Sequence, residues 1–420
     1  MVYRILLLVA LSGAVTITPA VAGGSIFSGN GIGEPVVGGG TRAEGLGGGA
    51  FGLADSMSFN SDNPALSAFT EHTLLRMAGQ VGIFETSSAG MKDTDGQFVW
   101  QDFRVYFPVM KRWRLGIGAT PRTQQDLKLF ANRTAIFGSA AGDTVPYEDR
   151  DAWTGGRTDL MIDNAFRLSD KLAVGLSTGY IILRNDRTRL LDMPTVDPYN
   201  YYLPVSFDES ETFRGFTFIL GGYYSVTPSL GVGAAFRPRF NGHWDYELTK
   251  AGGATESSSR DGKSPGEVDL GISYKVSPRV VGVVDVRSGQ WKKGDLGIIA
   301  DSAGLDNPVS PLFVSLGFER PAGHTPQLTG FDLWSYRGGL YYRKNYWPLT
   351  NGLAVEDYGV TGGISMPVAE EAGWLHLALE GGLRGTDETK LGAKEMYWRG
   401  SLQLEMSETW FHRTRPRIPK

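Results

Sequence analysis

The sequence predicts an all-β fold: a transmembrane antiparallel β-barrel of about 14 strands with an N-terminal hatch inside its lumen. Three observations predict it. From His72 onward, apolar residues alternate with small or polar ones. The connections sort into short turns and long polar loops, as they do at the two ends of an outer-membrane barrel. The chain also opens on an export signal.

The composition fits that class. Of 420 residues, 57 are Gly and 11% are aromatic, a pairing that suits many strands with tight turns better than helices. The 41% hydrophobic content suits strands that are apolar on one face. A net charge of −4 gives no reason to expect a nucleic-acid partner. There is no Cys, which excludes disulfides, a thiol nucleophile and a cysteine zinc site.

Residues 1–22 read as a signal peptide. Met1–Arg4 is a short positive region, Ile5–Ile17 an apolar run, and Ala20-Val21-Ala22 a small-residue cleavage site. The apolar run is short of the roughly 20 residues a spanning helix needs. No Cys follows it, so it is not a lipoprotein signal.

Alternation defines the strands. In Leu172–Ile182 and in Met396–Met406, one side is mainly apolar and the other small or polar. Candidate strands lie near 72–86, 97–109, 113–120, 157–168, 171–184, 212–226, 229–246, 265–276, 279–290, 311–320, 332–346, 356–368, 373–386 and 394–407. Short turns such as Thr227-Pro228-Ser229 alternate with long connections at Pro121–Gly156, Asn185–Glu211, Glu247–Ser264 and Trp291–Ser310. An even count puts both termini in the periplasm of a Gram-negative-type bacterium and the long loops outside the cell. Trp113, Trp334, Tyr336, Tyr341, Tyr342, Trp374, Trp398, Trp410 and Phe411 fall near strand ends, where amphipathic rings meet lipid headgroups. The barrel is assigned to 72–411 and a basic periplasmic tail to 412–420.

Residues 23–71 precede the first strand. They carry Phe51, Leu53, Met57, Phe59, Leu66 and Phe69, which favour burial, on a chain too rich in Gly for a good helix. A fourteen-stranded lumen is wide enough to need a plug. The stretch GLGGGAFGLADSMSFNSDNPALSAF, with Gly49-Ala50-Phe51, Ala54-Asp55 and Asn63-Pro64-Ala65 in order, resembles the hatch of the FadL-like outer-membrane long-chain fatty-acid transporter family. The resemblance implies passive uptake of hydrophobic small molecules, such as long-chain fatty acids, by external capture, binding beside the hatch and lateral exit through the wall. On that reading Phe51, Phe59, Asn63, Pro64, Phe69, Arg76 and Arg104 are the hatch and lumen candidates. Tyr199, Tyr201, Tyr202 and Leu203, aromatic-rich in an exposed loop, are the capture candidates. Gly116 and Gly118, in a short strand followed by Pro121, mark a possible side window, although they equally suit small lumen-facing positions.

Other chemistry has little support. His72, His243, His324, His376 and His412 are scattered, with none at the i, i+4 spacing of a zinc helix, so no metal is expected. Gly262-Lys263-Ser264 lacks the first Gly of a phosphate loop, because position 257 is Ser. No cofactor and no enzyme activity are expected. Acyl hydrolysis would need a Ser and a His on neighbouring strands, which the sequence alone does not display. Charges of both signs, among them Arg76, Asp102, Arg104, Asp269, Asp285, Arg287, Arg337, Arg399 and Glu405, suit a wet lumen that anchors the hatch. An Arg among them could instead hold a substrate carboxylate. Expected partners are the hydrophobic ligand, outer-membrane lipid and lipopolysaccharide, and the barrel assembly machinery, around a monomer. The alternatives are a non-specific porin and an envelope assembly or interaction protein built on the same barrel.

Overall fold

The computed structural model describes residues 24–56, 58–88, 91–137, 143–193, 203–302, 307–323, 330–348, 354–368, 373–385 and 393–408. The signal segment, Met57, Tyr199, Tyr201, Tyr202, Trp410, Phe411 and the basic tail lie outside the described residues. Among the described residues, no helix is long and apolar enough to cross a membrane.

Fourteen antiparallel strands close on themselves. They are β1 (Thr73–Ser88), β2 (Met91–Met110), β3 (Trp113–Phe137), β4 (Asp143–Arg167), β5 (Leu172–Asp192), β6 (Val205–Thr227), β7 (Leu230–Arg237 and Phe240–Lys250), β8 (Thr255–Ser264 and Gly266–Ser277), β9 (Val280–Gln290), β10 (Leu312–Arg320), β11 (Ser335–Pro348), β12 (Ala354–Val368), β13 (Gly373–Arg384) and β14 (Lys394–Glu408). β14 closes on β1 from Glu408↔Thr73 to Lys394↔Ser87. β7 breaks at Pro238-Arg239 and β8 at Pro265, since Pro has no N–H to give the ladder.

Each strand carries out the alternation seen in the sequence. Ile83, Phe98, Ile117, Phe216, Leu270 and Leu379 face outward and exposed, as an outer-membrane barrel presents to lipid. Arg76, Arg104, Asp163, Asp285, Arg399 and Glu405 face the lumen and are buried. Tyr341, expected at a strand end beside lipid, instead points into the lumen and bonds Tyr397 at 2.5 Å.

Most of the expected long loops between β3 and β8 are strand. β3 and β4 each run for 25 residues, pairing from Trp113↔Phe166 to Phe137↔Asp143, so much of Pro121–Gly156 is hairpin. Strands β3 to β8 therefore rise beyond the rest of the rim as one tall wall. Among the described residues of these connections, Trp291–Ser310 alone contains a helix, Ile298–Ser302.

The N-terminal segment from Gly24 to Thr70 lies inside, as a hatch. Its first part is a strap at the long-loop end, with a two-residue strand, Glu34–Pro35, on the edge of β3. A one-turn helix, Thr41–Glu44, follows. The chain then turns against the wall and ends in a 3-10 helix, Pro64–Phe69, at the short-turn end. There Thr70 O accepts from Arg114 Nε at 2.6 Å. The wall admits this backbone by lacking side chains: a Cβ on Gly233 would lie 2.0 Å from Phe51 O, and one on Gly175 2.5 Å from Ala65 N.

Candidate functional site: a cationic cavity beside the hatch

Ion pairs and backbone hydrogen bonds fasten the hatch to the wall. The Asp285 carboxylate accepts from the N–H groups of Ala50 and Phe51 at 2.7 and 2.9 Å. Glu34 is bonded by Arg384 at 2.5 Å and also by Arg399. Asp62 is bonded by Arg287 at 2.5 Å and by Arg122. Burial works against the charge on both carboxylates. The guanidiniums outweigh it, Arg384 and Arg399 for Glu34, Arg287 and Arg122 for Asp62, and hold both below the usual carboxylate range.

The aromatic and Asn candidates take part in this fastening. Phe59 packs edge-on to Tyr106 at 4.4 Å, with the Arg76 guanidinium 3.6 Å from its centroid. Arg76 also bonds Phe59 O and lies 3.5 Å from both Asp102 and Glu405. Arg104 pairs with Asp163 and donates to Thr120 at 2.8 Å. Phe51 lies under Arg287 at 4.8 Å, and Phe69 packs on Tyr223 at 5.1 Å. Asn63 caps the 3-10 helix before Pro64 through Ala65 N at 3.2 Å and donates to Phe51 O at 2.9 Å. Leu203, the one capture-loop candidate among the described residues, is 70% exposed.

Apart from Arg104, whose partners are wall residues, these side chains knit the hatch, whereas the open space lies elsewhere. A cavity of ≈ 120 Å³ sits between the strap and the wall. Its apolar side is Ile32, Pro35, Val36, Val37, Trp291, Leu312, Phe313 and Tyr346; its charged side is Arg122, Arg157, Arg237, Arg287, Arg343 and Lys344, with one carboxylate, Glu267. Arg122 Nε and Nη2, Arg237 Nε and Arg343 Nη1 are buried without a hydrogen-bond acceptor. Asp159 lies 3.4 Å from Arg122 and 3.8 Å from Arg237, and Asp357 lies 3.7 Å from Arg343. Arg122 Nε and Arg343 Nη1 are the atoms nearest those carboxylates, which leaves Arg122 Nη2 and Arg237 Nε with no acceptor beside them. Guanidiniums with unused N–H groups lining a half-apolar space suit an oxyanion joined to an apolar body.

Of this set, sequence reasoning named Arg287 among the lumen charges and missed Arg122, Arg157, Arg237, Arg343 and Lys344. Period two was the available signal: Arg237 falls in phase with Gly231, Gly233 and Ala235, all facing inward. Arg122 lay beyond the expected end of its strand, and a register shift between Pro121 and Thr123 places it inside.

Gly116 and Gly118, the side-window candidates, lie within continuous ladders on both sides. Gly116 pairs with Tyr106 and Asp163, and Gly118 with Arg104 and Met161. These glycines make room for the lumen: a Cβ on Gly116 would meet the Tyr106 ring at 2.4 Å, and one on Gly118 would meet Arg104 Cγ at 2.8 Å. The β2–β3 ladder ends at Phe103↔Ala119, just past them. Beyond that point the strap takes up the free edge of β3. Pro35 pairs with Thr123 and Glu34 with Gln124, Val36 N bonds Arg122 O at 2.9 Å, and Gly24 N bonds Asp126 O at 2.7 Å.

Gly175-Leu176-Ser177-Thr178-Gly179 has the G-x-S-x-G spacing of a nucleophile elbow but lies mid-strand in β5, without the strand-to-helix turn that exposes such a Ser. Ser177 donates to Asp163.

Known structures share the architecture. The CymD monoaromatic hydrocarbon channel superimposes with a TM-score of 0.56 at 15% identity, over 90% of this chain and 100% of that one. The Ralstonia pickettii toluene transporter TbuX gives 0.58 at 16% identity, over 88% and 98%. A Pseudomonas aeruginosa FadL homologue gives 0.58 at 11% identity, over 90% and 99%. At such identities the likeness is one of fold, and there the FadL-like resemblance holds. A search of curated proteins gave no match. The family model for BamG matches residues 1–237 and 329–416, on both sides of the stretch that begins at the Pro238 break. That match spans most of the sequence, hatch and barrel included, and the chain belongs to the BamG family.

Proposed function

We propose that this chain is an outer-membrane channel for passive uptake of hydrophobic small molecules that carry an acid group, long-chain fatty acids or similar. The observation that carries this reading is the cavity, apolar on one side and lined with underused guanidinium groups on the other. At ≈ 120 Å³ it is somewhat smaller than an engineered apolar cavity of roughly 150 Å³ that binds benzene. It therefore suits a carboxylate and its first carbons. A longer chain requires the strap to move. The fold shared with channels for monoaromatic hydrocarbons and toluene supports the reading. Capture falls to the loop around Leu203, and the exit to the gap between β2 and β3 that the strap fills. Both termini are then periplasmic.

Trp291 lines the cavity and reports on it. Titrating a long-chain fatty acid into the purified barrel should quench Trp291 fluorescence saturably, and Trp291→Phe should remove that component. No saturable quenching, or equal quenching by sugars, sinks the proposal.

The BamG match favours a second reading, an envelope assembly or interaction protein on the same barrel. A stable protein partner retained through purification, with no uptake in vesicles, would select it. An open porin is disfavoured by the filled lumen; liposome swelling with sugars tests it.

A further inference from the structure

A second cluster lies at the short-turn end of the lumen, apart from the cationic cavity. Ser365 on β12 and His376 on β13 are directly opposite in register. Gln403 faces His376 from β14, with Glu405 two residues on and on the same face. Ser365 Oγ is 2.5 Å from His376 Nδ1, and His376 Nε2 is 3.4 Å from Glu405 Oε2. Glu405 accepts from Gln403 Nε2 at 2.9 Å and from Ser58 of the hatch at 3.2 Å. Arg337 donates Nη1 to Ser365 Oγ at 2.6 Å, while its Nε is held on Glu319 at 2.8 Å. A cavity of ≈ 60 Å³ touches Ser365 and His376 and is bordered by Pro321, Ala322 and Trp374.

The chain hydroxyl–imidazole–carboxylate has the roles of a nucleophile, a base and a group that orients the base. A bracing network would hold the strands with no need of a guanidinium aimed at the hydroxyl oxygen or of space beside it. The 3.4 Å His–Glu separation is of the loose kind found in unliganded sites.

We propose that Ser365, His376 and Glu405 form a serine esterase site for small carboxylic esters, beyond the uptake reading and independent of it. Ser365 Oγ bonds to the ester carbonyl carbon as its proton passes to His376 Nδ1. The carbonyl π pair moves onto oxygen, beside the Arg337 guanidinium. Collapse breaks the ester C–O bond, and the Nδ1 proton leaves with the alcohol. Water repeats the sequence on the acyl-serine, releasing the acid and restoring Ser365. Ester and water are the only reactants consumed. Glu405 acts as a positioning residue, holding the imidazole with Nδ1 toward Ser365.

The test uses the full chain, purified in detergent and checked for folding by its altered gel migration before boiling. A small fluorophosphonate probe should form one adduct, located by peptide mass spectrometry at Ser365 and lost in Ser365→Ala. His376→Gln should slow labelling at least about 100-fold, the lower range of a general base's contribution. Glu405→Gln should shift the pH profile of labelling, which a purely structural change would not do. The same Ser365 dependence is expected for hydrolysis of 4-nitrophenyl acetate. Absence of an adduct on Ser365 in the folded wild-type barrel, or equal labelling rates in wild type and His376→Gln, overturns the proposal.

Discussion

Glu34, in the N-terminal strap, is hydrogen-bonded at 2.5 Å by Arg384 near the far end of the chain, and both side chains are buried. Without Glu34, Arg384 keeps Asp357 and Glu395, and Arg399 keeps Glu380, so the loss falls below the cost of a wholly uncompensated buried charge, about 3–5 kcal/mol. Glu34→Gln should still lower the unfolding temperature of the barrel and release the strap to protease. Unchanged melting and protection would show that the pair is not what holds it. Glu34 sits below its ordinary range, so its stabilisation is present above the unfolded carboxylate value and is lost as pH falls through the lower folded one.

Glu44 behaves in the opposite sense. Burial pushes it up to about 7, and nearby Glu380 adds to this, while Ser401, Gln101 and Arg399 pull it down. The folded hatch thus holds a proton that the unfolded chain gives up near pH 4.5. Stability is complete below that point and falls as pH rises toward 7, by at most about 3 kcal/mol. Melting followed from pH 5 to 8 should slope downward in the wild type and flatten in Glu44→Gln. Parallel slopes would remove Glu44 from the account.

The strap can be locked without touching an ion pair. Pro35 and Thr123 are register partners, and directly opposite residues place their Cβ atoms about 4.5–5.5 Å apart. The chain has no native Cys, so Pro35→Cys with Thr123→Cys should give a single disulfide. If the strap moves during passage, oxidised protein will bind ligand yet fail to deliver it into vesicles, and a reductant will restore delivery. Full uptake by the cross-linked form would place the exit elsewhere.

Asp285 tests the plug itself. Its carboxylate accepts from two backbone N–H groups of the hatch, one at Ala50, whose φ is 66. Hydrogen bonds to a charged group are each worth about 1.5–3 kcal/mol. Asp285→Ala should loosen the turn and raise small-ion conductance in planar bilayers. Conductance equal to wild type would assign the seal to other contacts.

The barrel was legible because a lipid-facing side chain and a lumen-facing one differ sharply in polarity. Ile117 against Gly116 and Gly118, or Leu270 against Asp269 and Gly271, writes period two into the chain. That contrast disappears beyond the membrane. In β3 the face of Gln124, Asp126 and Lys128 is polar where a lipid-facing one would be apolar, and in β4 Glu148 to Asp151 put charge on both faces, so long strands read as loops. The hatch was legible from its buried Phe residues and its Asn63-Pro64-Ala65 turn. The cavity was not, because its walls come from β3, β4, β7, β8, β9, β10 and β11 together with the strap. Proximity of Ser365 to His376 likewise depends on the β12–β13 register, which is set by the turn geometry and not by any motif in the two strands.

The hydrogen bond from Ser25 to Glu395 spans 370 residues. Both groups are fully buried inside the closed ring. Such contacts, the most distant in sequence, carry the largest loop-closure cost and are expected among the last to form. The strap and the seam of fifteen residue pairs between β14 and β1 therefore belong to the same late end of assembly, since each joins the first hundred residues to the last.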